Sequence, residues 1–185
     1  LLTAPSRFRF VSSDGTEIQL SADSLMMTDY GDSFARWSSV SSGAGLKVTV
    51  SGKIEFDGNI EYAVEVLAEK DLDLADIALE MVLSQHTARY MTGLGRKGGR
   101  APDDFSWKWD VKHNQDAVWL GNVNGGMQIT LKDENYSRPL NTNFYHLKPL
   151  AMPNSWSNGG NGGIALKRSD DVYNVKCFSG PRTIA

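Results

Sequence analysis

Apolar and polar residues alternate with period two along several short stretches of the chain, a spacing that sends successive side chains to opposite faces of a strand. The clearest case runs from Lys47 to Phe56. Val48, Val50, Ile54 and Phe56 share one face with Gly52 between them, while Lys47, Thr49, Ser51, Lys53 and Glu55 share the other. Asp57-Gly58-Asn59 then turns the chain, and Ile60, Tyr62, Val64 and Val66 resume the alternation against Glu61, Ala63 and Glu65. This predicts an antiparallel hairpin with one apolar and one wet face.

The same pattern recurs more weakly elsewhere. Arg7 to Val11 and Thr16 to Leu20 flank Asp14-Gly15, Phe34 to Val40 reads as a strand, and Ser21 to Ser33 is mixed, with Leu25, Met26 and Met27 apolar and a break at Gly31. Lys70 to Leu83 fits a strand and a helical stripe alike; strand is preferred because its neighbours are strands. Ala117 to Val123 and Met127 to Lys132 flank Asn124-Gly125-Gly126, and Gly163 to Arg168 and Val172 to Ser179 flank Ser169-Asp170-Asp171. About ten short strands with turn punctuation predict an all-β fold, an antiparallel β-sandwich forming a single domain over residues 1–185. Two long irregular loops are expected to project from it, one within Tyr90–Gly126 and one within Asp133–Gly163.

Composition agrees with this class. Of 185 residues 41% are hydrophobic, 22% charged and 10% aromatic, and 18 are glycine, which tilts toward sheets and turns. A net charge of -3 leaves no electrostatic footprint for nucleic acid. No apolar run approaches the roughly 20 residues that span a bilayer, so no membrane partner is expected. Leu1-Leu2-Thr3-Ala4-Pro5 carries neither an initiator Met nor the apolar region of a signal peptide, which reads as a trimmed or processed start. The single cysteine, Cys177, allows no internal disulfide, and in the alternating Tyr173-Asn174-Val175-Lys176-Cys177 it reads as a small buried hydrophobe.

Three motifs suggest chemistry and do not carry it. Gly93-Leu94-Gly95-Arg96-Lys97-Gly98 matches the dinucleotide fingerprint, but Gly99-Arg100-Ala101-Pro102 follows where a helix would have to open. Asp103, Asp104, Asp110 and Asp116 near His113 have no metal-ligand spacing, so no metal and no cofactor is expected. Asp133-Glu134 is adjacent rather than opposed across a cleft, so no catalytic residue is assigned.

A set of aromatic and amide side chains in the two loops is a stronger candidate: Trp107, Trp109, Trp119, Tyr136, Tyr145 and Trp156 with Asn122, Asn124, Asn158 and Arg138. Flat rings beside planar amide and guanidinium groups suit the apolar faces and hydroxyls of a sugar. The same rings would serve equally to pin loops to the sandwich or to meet a neighbouring domain.

Several blocks carry a family resemblance. Tyr90-Met91-Thr92-Gly93-Leu94-Gly95, Gly98-Gly99-Arg100-Ala101-Pro102, Trp107-Lys108-Trp109, Trp119-Leu120-Gly121-Asn122-Val123-Asn124-Gly125-Gly126 and Lys132-Asp133-Glu134-Asn135-Tyr136 with Arg138-Pro139-Leu140 resemble the N-terminal domain of glycoside hydrolase family 123-like proteins. The resemblance implies a β-sandwich that precedes a (β/α)8 catalytic barrel in secreted or periplasmic bacterial proteins removing N-acetylgalactosamine. It implies a non-catalytic accessory domain whose partner is that barrel; the alternative is a carbohydrate-binding module acting on a glycan through the loop aromatics.

Overall fold

The computed structural model describes residues 1–109, 117–133 and 153–185. The chain is all-β, with strands β1 (Arg7–Ser12), β2 (Glu17–Ile18), β3 (Ser21–Gly31), β4 (Phe34–Gly43), β5 (Leu46–Glu55), β6 (Ile60–Ala68), β7 (Leu72–Ser84), β8 (Tyr90–Gly93), β9 (Arg96–Arg100), β10 (Asp104–Lys108), β11 (Ala117–Asn122), β12 (Gly125–Thr130), β13 (Gly163–Ser169), β14 (Val172–Phe178) and β15 (Arg182–Ile184). One helical turn, α1 (Asn154–Ser157), precedes β13. The strands form three antiparallel sheets, ordered β10-β13-β14-β7-β1-β2 with β15 on β7, β12-β11-β8-β9, and β3-β4-β5-β6. By contact density the chain separates into two units, Leu1–Arg9 with Asp76–Pro181, and Phe10–Ala75 with Arg182–Ala185.

The first unit is a two-sheet sandwich. Met81 and Leu83 of β7, Ile164 and Leu166 of β13, and Tyr173, Val175 and Cys177 of β14 face Met91, Val118, Leu120 and Ile129 from β8, β11 and β12 in one contiguous core. Each such side chain, fully buried, contributes about 1.5–3 kcal/mol. Burial resolves the helix-or-strand ambiguity of Lys70 to Leu83 in favour of the strand. β7 lies between β14 and β1, and Leu74, Ile77, Ala78, Met81 and Leu83 are all buried, so the two-faced apolar content follows from a central position.

The first stretch expected as an irregular loop is largely ordered strand. Tyr90 to Lys108 holds β8, β9 and β10, with β8 paired to both β9 and β11, and β10 paired to β13. The glycines of β8, β9 and their turn hide the alternation there because they carry no side chain to mark a face. At the β8–β9 turn Leu94 (φ 50°) and Gly95 (φ 78°) are left-handed. Leu94 is 1% exposed. Its burial, about 1.5–3 kcal/mol, offsets the roughly 1–2 kcal/mol that a left-handed L-residue costs.

The second unit is built on the β3–β6 sheet, and its hairpins follow the turn chemistry. The Asp57 carboxylate accepts the Asn59 N–H at 2.9 Å at the β5–β6 turn, and Asp14 does the same for Thr16 at 2.9 Å between β1 and β2. The β5–β6 hairpin matches the expected alternation. The mixed stretch Ser21 to Ser33 proves to be an eleven-residue strand, β3, whose register shifts at Ala22/Ser24 and Met27/Asp29 interrupt its period. The β11–β12 turn falls at Val123-Asn124, one residue before the expected Asn124-Gly125-Gly126, because Asn122 pairs with Gly125.

Candidate functional site

Cross-strand partners in a sheet point to the same face, so the registers of β3–β6 assign every side chain. One face carries the rows Leu25–Ser39–Val50–Val64, Met27–Trp37–Gly52–Tyr62 and Tyr30–Ala35–Ile54–Ile60. It is the apolar face, and over these rows much of it is open. Tyr30 is 78% exposed and Leu25 73%, and Met27, Tyr62, Ile54 and Ile60 are exposed as well. At one end of the same face Leu46 and Val48 are buried, as are Phe10 and Leu74 elsewhere in the unit.

The centre of the open face is ordered by aromatic contact. A Cβ added at Gly52 would overlap the Trp37 indole, so the ring lies flat over the glycine, and Tyr62 meets it edge-on with centroids 5.8 Å apart. The opposite face is charged. Arg36 pairs with Asp29 at 3.2 Å and Lys53 with Glu55 at 2.5 Å. Hydrogen bonds from Lys53 and then Asn59 hold the Glu55 carboxyl below its ordinary pKa. The sheet thus has one wet face and one apolar face, and its edge strand β3 is exposed along its whole length.

The residues singled out from the sequence lie elsewhere, in the first unit. Trp109 is 8% exposed within the core, and its indole N–H has no acceptor among the described residues. Trp107 and Trp156 are half-buried against the same core; the Trp107 ring covers Gly95 and Trp156 meets Phe8 with centroids 6.3 Å apart. Trp119 is half-buried, its ring lying on Gly121 and Gly126 between the positions of Thr92 and Gln128.

The amides hold backbone. Asn122 donates to the His86 carbonyl at 3.3 Å and accepts the Asn124 N–H at 2.9 Å, leaving Asn124 at the exposed hairpin tip. Asn158, left-handed at φ 42°, donates to the Ser179 and Pro181 carbonyls at 2.9 and 2.7 Å. Tyr136, Arg138 and Tyr145 lie outside the described residues. So do Asp110, His113, Asp116 and Glu134.

The set therefore does not converge on one platform among the described residues. Three of its rings complete a core, and the open aromatic surface is the one that sequence reasoning missed. The signal was there in the consecutive Leu25-Met26-Met27 and in Tyr30, masked by the two register shifts of β3.

The motifs set aside on the sequence resolve individually. Gly93 to Gly98 spans a β-hairpin, which offers no helix N-terminus to a pyrophosphate. Asp133 accepts the Ser155 N–H at 3.1 Å, in the first turn of α1. Cys177 is wholly buried, and burial pushes its thiol up to about 12. Tyr173, whose hydroxyl donates to the Pro102 carbonyl at 2.8 Å, is likewise pushed up to about 12 by burial.

The family described as glycoside hydrolase 123, third domain, matches residues 1–185. Searches of curated proteins and of solved structures give no match. The match corrects the N-terminal position expected from the resemblance: a β-sandwich has no feature that fixes its place along a polypeptide, and the matching domain is the third. The chain belongs to the third-domain family of glycoside hydrolase 123, as an all-β accessory domain related to those enzymes.

Proposed function

We propose that this chain is a non-catalytic domain that docks, through the open apolar face of β3–β6, on the (β/α)8 catalytic domain of an N-acetylhexosaminidase-like parent polypeptide. One observation carries the reading. A sheet face bearing Leu25, Met27, Tyr30, Ile54, Ile60 and Tyr62 stands open to solvent. Antiparallel sheets expose one polar face and bury the apolar one. A contiguous exposed apolar surface is the mark of an interaction site. A domain described as third in its family has neighbours to meet.

The test is thermal unfolding of the parent enzyme and of this chain alone, each with and without the pair Leu25→Ser and Tyr30→Ser. Docking predicts that the substitutions split or lower the transition of the parent while leaving that of the chain nearly unchanged. An identical single transition in wild-type and variant parent overturns it.

A second reading has its own observation. Trp119 is half-buried on a glycine platform with Thr92 and Gln128 beside it, which is the stacking surface and polar flank that a sugar ring needs. Saturable quenching of the chain's fluorescence by N-acetylgalactosamine, lost in Trp119→Ala, supports a binding module; no quenching by this sugar or by other neutral glycans removes that reading.

A further inference from the structure

The first unit holds a cavity of about 420 Å³ that neither the docking face nor the tryptophans use. Small-molecule sites run to about 300–1,000 Å³. Gln85, His86 and Arg89 line it from the β7–β8 connection, Arg100 from the end of β9, Arg168 from β13 and Asp171 from the turn after β13. Three arginines and one aspartate thus line it.

The walls are held in place before any ligand arrives. Gln85 donates its backbone N–H to the Asp171 carbonyl at 3.0 Å and its amide to the Asp170 carbonyl at 2.8 Å, which bolts the connection to the turn. The backbone carbonyl of Arg89 accepts the Ala101 N–H at 2.9 Å. Arg168 is oriented by Asp103 at 2.7 Å, by the Ala101 carbonyl at 3.2 Å, and by the Tyr173 ring 5.0 Å below its guanidinium. Arg89 and Arg100 differ from it: among the described residues neither has an ion pair, and Arg89 only rests on the Tyr90 ring at 5.7 Å.

We propose that this cavity binds the oxyanion group, sulfate or carboxylate, of an acidic sugar. Guanidinium forks match both groups with two parallel hydrogen bonds. The excess of positive charge in the lining disfavours a neutral ligand's claim to the same place, and the Gln85 and His86 side chains offer donors and acceptors for the hydroxyls around the charged group. The sugar follows from the glycoside hydrolase family to which the domain belongs.

Calorimetric titration of this chain with galactose 6-sulfate, galacturonate, galactose and inorganic sulfate tests the proposal. Saturable binding of one of the two acidic sugars is expected, and which one identifies the oxyanion. Arg89→Gln and Arg100→Gln each weaken it by about tenfold or more, the loss expected for a charge-assisted hydrogen bond. Both side chains are exposed, so the unfolding temperature stays at the wild-type value, and Lys47→Gln in the other unit leaves binding unchanged. Silence with both acidic sugars, equal affinity for galactose, or inorganic sulfate bound as tightly as the sulfated sugar would each overturn the proposal.

Discussion

Tyr173 and Cys177 are 0% exposed, and each must stay neutral where it lies. Burial pushes both pKa values up to about 12, against 10.0 for an exposed tyrosine and 9.0 for an exposed thiol. Above those ordinary values the unfolded chain ionises and the folded chain does not, so folding loses stability as pH rises. The contribution is complete below about pH 9 and falls away between 9 and 12. Thermal unfolding should therefore drop steeply across that window, and Cys177→Ala should flatten the part that begins at 9. A second residue-scale prediction concerns the β4–β5 turn, where Ala44 (φ 48°) and Gly45 (φ 79°) are both left-handed. This turn geometry favours Asn followed by Gly. Ala44→Asn should stabilise the chain by about 1 kcal/mol, measured by denaturant unfolding. At this scale the buried Cys177 was legible from alternation. The left-handed Leu94 was not, because nothing local marks a position whose backbone cost is offset by distant packing.

Among the elements, the β5–β6 hairpin was legible because apolar residues, charged residues and an Asp-Gly-Asn turn all agree on one register. β3 was not, since its two register shifts break the period from which a face would be read. β8 and β9 were hidden by glycine. β3 is also where the chain is most vulnerable, as an exposed edge with apolar residues on it is a template for further pairing. The isolated chain should self-associate with rising concentration, and Leu25→Lys should reduce that association in sedimentation experiments without altering the circular dichroism of the sheet. At the centre of the same sheet, Gly52→Val forces the Trp37 ring off its seat. Overpacking of this kind costs about 1–3 kcal/mol, and a shift in tryptophan emission should accompany the loss.

For the molecule as a whole, the all-β class shapes the functional expectation. Asp133 is occupied in binding the Ser155 backbone. The chain alone should hydrolyse no aryl N-acetylgalactosaminide, and turnover by the chain that is abolished in Asp133→Ala would contradict the account. Of the candidate site, only the residue types were legible: the tryptophans and asparagines of the first unit stood out by composition, yet most serve core and backbone there, while the surface open for contact depends on strand registers that composition does not encode. Met26 and Met27 let that surface be examined directly, because Met26 pairs with Ser38 on the charged face and Met27 with Trp37 on the apolar one, and both are exposed. Hydroxyl-radical footprinting of this chain alone and of the parent enzyme compares the two side chains under the same dose. The account predicts that Met27, Tyr30 and Tyr62 become protected in the parent while Met26 oxidises as before; equal oxidation of Met27 in both would contradict it.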